Sequence, residues 1–153
     1  MAQVCEVPLD NADNQEIKDI LNRYREVAII GLSNNEEKPS YQVAKYLKEH
    51  GFRIYPVNPR YQEILGETCY PSLSDIPHPI EIVDIFRKPS VIPEIVAQAI
   101  QCKAAVVWMQ SGIVNNEAAQ MARDAGLRVV MSKCMMAEHK RLIVPDRKRG
   151  NDD

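Results

Sequence analysis

The chain has 153 residues, of which 45% are hydrophobic and 26% charged, proportions typical of a globular protein with one domain. Its formal net charge of −2 argues against broad nucleic-acid binding, which usually needs a concentrated basic surface. No apolar run approaches the roughly 20 residues of a membrane span, and the first residues lack the basic and apolar regions of a secretory signal. We therefore expect a single domain over residues 1–153, cytoplasmic and binding neither nucleic acid nor membranes.

The first predicted element is an amphipathic helix. Asp13 and Glu16 form a capping box before apolar residues at helical spacing, namely Ile17, Ile20, Leu21 and Tyr24. The apolar face of this helix either packs on the rest of the domain or mediates a homodimer or another protein contact.

Short apolar segments then alternate with helical patterns of 10 to 12 residues. The predicted strands are EVAIIG (26–31), FRIYPVN (52–58), IEIVDIF (80–86), AAVVWM (104–109) and LRVVMS (127–132), with ETCY (67–70) as an edge strand. The first intervening helix is predicted to begin at Pro39. The next two are predicted to follow the N-cap residues Ser90 and Asn115. This alternation indicates an α/β, Rossmann-like, doubly wound, mainly parallel sheet of five to six strands in three layers. The core covers about 15–143, and a polar C-terminal tail is expected to fray.

Cysteines and histidines are scattered along the chain, and no two of them have metal-site spacing. We predict that the four cysteines, Cys5, Cys69, Cys102 and Cys134, are free thiols. We also predict that these cysteines and the three histidines, His50, His78 and His139, form no metal site. His139 is interpreted as a surface residue of the last helix.

The loop GLSNNEEKPS (31–40) has the features of a phosphate site. It begins with Gly31 at the end of the first sheet strand and leads into a helix N-terminus, where unpaired N–H groups favour anions. Ser33 and Ser40 add hydroxyl groups, and Lys38 adds a cation. Ser40 is equally well explained as the N-cap of the helix.

Three well-known glycine-containing motifs are nevertheless absent from this loop. The second and third glycines of the dinucleotide fingerprint G-x-G-x-x-G would fall at Ser33 and Glu36. No glycine precedes Lys38 as in the Walker pattern, and Ser33 is not followed by the glycine of a nucleophile elbow. A longer loop therefore replaces the tight turn that approaches the pyrophosphate of NAD.

The second sheet strand indicates which nucleotide is preferred. An NAD site usually places an acid here, bonded to the ribose 2′-hydroxyl, whereas this strand ends in Asn58, Pro59 and Arg60. Asn and Arg tolerate a phosphorylated ribose, so both NADP and coenzyme A (CoA) remain candidates. Alternatively, these residues are simply a β-turn with Pro59 at its corner.

The sequence blocks IIGLSNNEEKPSYQVAKYLKEHGFRIYPVNP, DIFRKPS and VVWMQSGIVNNEAAQMARDAGLRVVMSKCMMAEH together resemble the stand-alone CoA-binding proteins. These are small Rossmann-like domains similar to the N-terminal domain of the succinyl-CoA synthetase alpha subunit. The resemblance covers residues 15–143 and rests on the order and spacing of the blocks.

The resemblance implies a ligand-binding role for each matching position. The phosphate loop would comprise Gly31, Leu32, Ser33, Lys38, Ser40 and Tyr41. The adenosine end would contact Asn58, Pro59 and Arg60, and the switch point between strands would contribute Phe86 and Arg87. The pantetheine arm would pass Trp108, Gln110, Ser111 and Gly112. Large apolar side chains such as Trp108 and Phe86 are more often core residues than ligand contacts.

No catalytic constellation is evident, and the histidine phosphorylated in the synthetase belongs to a second domain that this sequence does not match. We therefore expect a module that binds CoA or an acyl-CoA without catalysis of its own. One alternative is an NADP-dependent oxidoreductase. Another is a nucleotide-binding redox protein in which Cys134 or Cys5 forms a mixed disulfide with CoA, which requires an exposed thiol of lowered pKa.

Overall fold

A computed structural model describes residues 6–150 of the chain. Its strands are β1 (Glu26–Ile30), β2 (Arg53–Val57), β3 (Glu63–Ile64), β4 (Glu67–Thr68), β5 (Ile82–Ile85), β6 (Val106–Met109) and β7 (Arg128–Val130). Five of them form a parallel sheet in the order β2-β1-β5-β6-β7, and β3 pairs with β4 in a separate antiparallel hairpin. The predicted Rossmann-like parallel sheet is confirmed.

The central strands are apolar because helices cover both faces of the sheet. The helices are α1 (Asn14–Arg23), α2 (Pro39–Glu49), α3 (Ile92–Gln101), α4 (Asn116–Asp124), α5 (Met135–Leu142) and α6 (Val144–Gly150). Buried residues of α1, α2 and α5 form one hydrophobic cluster with the sheet, and those of α3 and α4 form the other. The apolar face of α1 therefore packs on the domain itself. Within residues 6–150, no helix combines the length and apolar character needed to cross a membrane.

Predicted side-chain caps are present at the start of two helices, α1 and α4. The Asp13 carboxylate accepts from the N–H of Glu16 at 2.9 Å, and the Asn115 side chain accepts from the N–H of Ala118 at 2.9 Å. The predicted cap at Ser90 is wrong, because Ser90 lies within a 3₁₀ turn (Pro89–Val91) that precedes α3. The tail expected to fray is also helical as far as Gly150 in α6, where Asp146 pairs with Lys18 of α1 at 2.9 Å.

The segment 67–70, predicted as one edge strand, forms two separate strand pairings. Glu67–Thr68 is β4, whereas Tyr70 forms a parallel bridge with Val57 at the outer edge of β2. The N–H of Tyr70 donates to the carbonyl of Pro56 at 2.9 Å, and the N–H of Asn58 donates to the carbonyl of Tyr70 at 2.9 Å. The bridge places Tyr70 beside β2 at the edge of the sheet, in the position that the third strand occupies in the Rossmann strand order.

The direction of winding reverses between β1 and β5. From β1 the chain crosses to β2 on one side, then returns to place β5, β6 and β7 on the other side. The loops after β1 and β5 therefore leave in opposite directions and open a crevice at the carboxyl ends of these neighbouring strands. Ligands of open parallel sheets bind in this position.

Candidate functional site

A cleft of about 410 Å³ opens at the carboxyl ends of β1, β2 and β5. It is lined by Gly31, Ser33, Asn58, Pro59, Arg60, Tyr61 and Arg87. All but Tyr61 are site residues predicted from the sequence, although they come from three separate segments. The structure thus brings the phosphate loop, the end of the second sheet strand and Arg87 into one cavity.

Gly31 allows the ends of β1 and β5 to approach closely. Its φ of +83° is unfavourable for a residue with a side chain, and a Cβ built there would lie 2.5 Å from the carbonyl oxygen of Phe86. The Gly31 N–H donates to the carbonyl of Val57 at 2.8 Å, which ties β1 to the end of β2. One glycine is therefore sufficient to bring three strand ends together.

Side-chain hydrogen bonds fold the rest of the phosphate loop. The Ser33 hydroxyl oxygen accepts from the N–H of Asn35 at 3.0 Å, and the Asn35 side-chain oxygen accepts from the N–H of Glu37 at 3.0 Å. These are Ser and Asx turns, which shape a backbone without requiring glycine. The loop therefore has a defined conformation although the later glycines of the dinucleotide fingerprint are absent.

Ser40 ties this loop to the first turn of α2. Its side chain is buried, and its oxygen accepts from the N–H of Ser33 at 3.0 Å. The interpretation of Ser40 as the helix N-cap is wrong, because Lys38 occupies that position and Pro39 is the first helical residue. Pro at this position costs nothing, since the first helical N–H has no intrahelical partner.

Asn58 connects the first and second strand-end loops. Its amide nitrogen donates to the carbonyl of Leu32 at 3.1 Å, and its amide oxygen accepts from the N–H of Arg60 at 3.0 Å. Both polar atoms of the side chain are thus engaged with the backbone. Asn58 supports the wall of the cleft and orients the exposed residues Pro59 and Arg60.

The cleft and its rim carry unpaired positive charge. Arg60 and Arg87 are exposed in the cleft, and Lys38 is exposed at the start of α2. None of the three forms an ion pair with any residue in the described range 6–150. Because the α2 N-terminus adds a partial positive charge, this region is suited to a phosphorylated ligand.

A second cleft, of about 250 Å³, adjoins the first and shares Pro59 and Arg87 with it. Its other walls are mainly apolar and include Ile30, Val57, Pro71, Leu73, Val91 and Ile95. The two clefts together offer a charged compartment beside an apolar one. Sequence reasoning missed the second compartment because its walls come from a loop and from α3, which carry no motif.

Several predicted site residues lie beneath the surface. Leu32 and Trp108 are completely buried, and the Trp108 indole N–H donates to the carbonyl of Lys133 at 2.7 Å. Gln110 is also buried, while Tyr41 and Phe86 are half-buried against the core. The buried side chains of Leu32, Trp108 and Gln110 therefore act on a ligand only by supporting the residues around them. After β6, only Ser111 and Gly112 of the predicted site are exposed.

Asp84 is a functional candidate that sequence reasoning missed. It is completely buried on β5, where one carboxylate oxygen accepts from the Gln110 amide and the other, Oδ2, has no hydrogen-bond partner among residues 6–150. Burial raises the pKa of this carboxyl from 3.8 to about 7, against the opposing effect of hydrogen bonds from Gln110 and the Ile85 backbone. An acidic residue inside the otherwise apolar segment IEIVDIF was the available signal.

His139 is buried in the core, which corrects the prediction of a surface residue. Its Nδ1 forms a 2.8 Å hydrogen bond with the Tyr46 hydroxyl, between α5 and α2, while its Nε2 has no partner in the part of the chain that the structure describes. Burial lowers the pKa of His139 to about 4, and positive charge on Arg147 contributes to this shift. Neither His139 nor Tyr46 lines either of the two clefts.

The cysteine residues are described in part. Cys69, Cys102 and Cys134 are free thiols, and Cys5 lies outside the described residues. Burial raises the pKa of Cys69 and Cys102. Cys134 is half-buried and is the N-cap residue of α5.

The strand order and the crevice at the β1–β5 reversal define a Rossmann-like ligand-binding domain. The sequence profile described as the CoA binding domain matches residues 25–140, which include every strand of the sheet. The chain belongs to the CoA-binding domain family, as its resemblance to stand-alone CoA-binding proteins predicted.

Individual relatives include both small proteins and parts of long ones. The Bacillus subtilis protein YneT is 37% identical over 131 residues, which cover 86% of this chain and 97% of YneT. A solved structure of a hypothetical protein from Pyrococcus horikoshii is 47% identical with a TM-score of 0.85, covering 94% of this chain and 99% of that one. The ADP-forming acetate–CoA ligase of Methanocaldococcus jannaschii is 31% identical over 72% of this chain, a match that spans only 17% of the ligase.

Proposed function

We propose that this protein binds CoA or an acyl-CoA in the crevice between β1 and β5, through one domain and without catalysis of its own. The observation that carries the proposal is the charged cleft with Arg60 and Arg87, which adjoins an apolar cleft at the site where Rossmann-like sheets bind ligands. Membership of the CoA-binding domain family supports CoA as the nucleotide. Similarity to part of an acetate–CoA ligase is consistent with this choice.

In this proposal the charged cleft takes the phosphates of CoA. Arg60 and Arg87 can each donate several N–H groups to phosphate oxygens, and within residues 6–150 neither forms an ion pair with a carboxylate. The Ser33 hydroxyl and the α2 N-terminus would contact the pyrophosphate close to Gly31, with Lys38 at the rim. Arg60, which follows Asn58, would face the 3′-phosphate on the ribose.

The apolar cleft would take the adenine ring. Its walls of Pro59, Pro71 and Leu73 suit the flat faces of a base, and Glu94 and Gln98 of α3 offer polar atoms at its edge. The pantetheine arm would then leave in the other direction, across the carboxyl ends of β5 and β6 towards Ser111 and Gly112.

Binding without catalysis is proposed because the ionisable groups with the largest pKa shifts do not open onto the site. Asp84 and His139 are both completely buried. A catalytic acid or base must reach a reacting atom within hydrogen-bond distance, and neither side chain lines the two clefts.

Thermal unfolding with saturating ligands tests the choice of nucleotide. A ligand at 100 times its dissociation constant stabilises a protein by about 2.7 kcal/mol, which raises the midpoint by roughly 5–10 °C at this size. With every ligand at one common concentration, 100 times the dissociation constant of CoA, we expect this shift with CoA, a smaller one with dephospho-CoA, and none with NAD or NADP. A shift with NADP and none with CoA would favour the oxidoreductase alternative and contradict the proposal.

Two arginine variants test the site itself. Arg60→Ala and Arg87→Ala should each weaken CoA binding about tenfold, as expected for the loss of a charge-assisted phosphate contact. Arg53→Ala is the matched control, because Arg53 lies at the opposite end of β2 and its side chain is 77% exposed. Equal affinities in all three variants would show that CoA does not bind in this cleft.

A further inference from the structure

The buried pair of Asp84 and Gln110 lies near the carboxyl ends of β5 and β6, at the edge of the sheet where the proposed ligand crevice opens. Asp84 is the penultimate residue of β5, paired in register with Ile29 of β1 and Trp108 of β6. Gln110 follows β6 and donates its side-chain amide to Asp84. Both residues are at least 97% buried, so the pair links the ends of two sheet strands out of contact with solvent.

Gln110 is also the first residue of the exposed turn after β6. Its backbone N–H donates to the carbonyl of Ile85 at 3.3 Å, and its carbonyl accepts from the N–H of Ile113 at 2.9 Å. Between these anchors, Ser111 and Gly112 are exposed, and Gly112 has a φ of +80°. The position of this turn therefore depends on how Gln110 is held.

A second contact fixes the far side of the same turn. The N–H of Gly112 donates to the Ser132 hydroxyl at 3.1 Å, and the N–H of Ser132 donates to the carbonyl of Ile113 at 3.2 Å. Ser132 itself has a φ of +54°, uncommon for a residue with a side chain. Backbone strain of this kind persists only where the surrounding structure holds it, which indicates a turn with a defined geometry.

We propose that Asp84 is a positioning residue of the ligand site, which acts through Gln110 to hold the Ser111–Gly112 turn against the pantetheine arm of CoA. This inference rests on the proposed function and deepens it, since it assigns a role to a residue that does not itself contact the ligand. It also replaces the direct pantetheine contact expected for Gln110 with an indirect one.

The chemistry of the pair is that of a neutral acid and an amide. An ionised carboxylate without a cationic partner is costly in an apolar interior, and no charged side chain among the described residues contributes to the pKa shift of Asp84. A neutral carboxyl group has the same shape and the same accepting oxygen as the side chain of Asn. Asp84→Asn should therefore preserve the hydrogen bond with Gln110. Asp84→Leu and Gln110→Met each replace one partner by an apolar side chain of similar volume, and both should abolish this hydrogen bond.

The test compares two ligands that differ in the part that reaches the turn. CoA carries the pantetheine arm, and adenosine 3′,5′-bisphosphate keeps the base and the two phosphates attached to the ribose but lacks the arm together with the second phosphate of the pyrophosphate. Calorimetry at pH 6 should give a CoA affinity about tenfold lower for Asp84→Leu and Gln110→Met, the loss expected for one misplaced set of polar contacts. The affinity for adenosine 3′,5′-bisphosphate should change less than threefold, and Asp84→Asn should retain wild-type affinity for both ligands.

The outcomes separate positioning from general structural support. An equal loss for both ligands, or unchanged CoA affinity in Asp84→Leu and Gln110→Met, would overturn the positioning role while leaving the proposed function intact. Wild-type protein that binds neither ligand would instead contradict the proposed function. If Asp84→Leu fails to fold, Gln110→Met provides the same comparison with Asp84 intact, and the urea midpoint of each variant verifies folding.

Discussion

Replacing Asp84 by Asn should change the pH dependence of stability more than any exposed substitution. The folded pKa of this carboxyl is about 7, compared with its ordinary value of 3.8. At about 1.4 kcal/mol per pKa unit, that difference corresponds to about 4 kcal/mol of stability. Because the folded pKa is raised, this stability is fully present below pH 3.8 and is lost as the pH rises towards 7.

His139 has the opposite dependence. Its pKa falls from 6.5 in the unfolded chain to about 4 in the folded protein, so its contribution is present above pH 6.5 and is lost as the pH falls to 4. By the same conversion, its magnitude is about 3 kcal/mol. Between pH 4 and 6.5, folding therefore removes a proton from His139 and adds one to Asp84, and the two dependences cancel.

Each single variant should expose the contribution of the other residue. From pH 6.5 down to 4.5, Asp84→Asn should lose roughly 2–3 kcal/mol relative to wild type, because only His139 then titrates. His139→Gln should show the reverse, gaining stability relative to wild type over the same interval. The assay is urea unfolding at half-unit pH steps, with the midpoint and slope fitted at each pH.

Asp124→Asn provides a matched control, since Asp124 is exposed at the end of α4 and bonds only to Gln120 among the described residues. Its stability should run parallel to that of wild type at every pH. If Asp84→Asn also ran parallel to wild type from pH 4.5 to 8, Asp84 would not carry a raised pKa, and the description of a neutral buried acid would be wrong.

Three further substitutions test how the site is built. Gly31→Ala should destabilise the protein by roughly 3 kcal/mol or more in thermal unfolding, because the added Cβ meets the carbonyl after β5 at 2.5 Å. Gly126→Ala, with a φ of +90° and no atom within 4 Å of the added Cβ, should cost only about 1 kcal/mol; equal costs would show that close approach is unimportant. Asn58→Ala should lose about 1–3 kcal/mol and accelerate hydrogen exchange of the Arg60 amide, and an unchanged exchange rate would contradict its role in the cleft wall. Trp108→Phe should reduce stability by about 1 kcal/mol while CoA affinity remains within threefold, whereas a tenfold loss of affinity would point to a direct contact.

The parts of the fold and site predicted from sequence depend on short stretches of chain. The alternation of apolar strands with capped helices was sufficient for the parallel sheet, because each signal lies within about ten residues of the element it specifies. Gly31 and Arg60 are predicted for a related reason: the carboxyl ends of parallel strands meet at one edge of the sheet, so residues that follow different strands come together. Arg87 is predicted only by the resemblance to the CoA-binding proteins.

The remaining features depend on contacts between distant segments. His139 carries no local sign of burial, and only its packing between α5 and α2 places its ring beside Tyr46. The pairing of Asp84 with Gln110 joins residues 26 positions apart and requires the register of β5 with β6. The frequency of serine at helix N-caps favours a capping role for Ser40 as much as a phosphate contact, but its hydroxyl oxygen accepts a hydrogen bond from the N–H of Ser33 in the loop.

The most direct test of the account is the affinity of the purified protein for CoA and for dephospho-CoA, measured by titration calorimetry in wild type and Arg60→Ala. The account predicts that wild type binds CoA more tightly than dephospho-CoA, because Arg60 in the charged cleft is proposed to face the 3′-phosphate. In Arg60→Ala this preference should shrink about tenfold. Equal affinity of wild type for the two ligands, or no binding of either, would contradict the proposed recognition of CoA in this cleft.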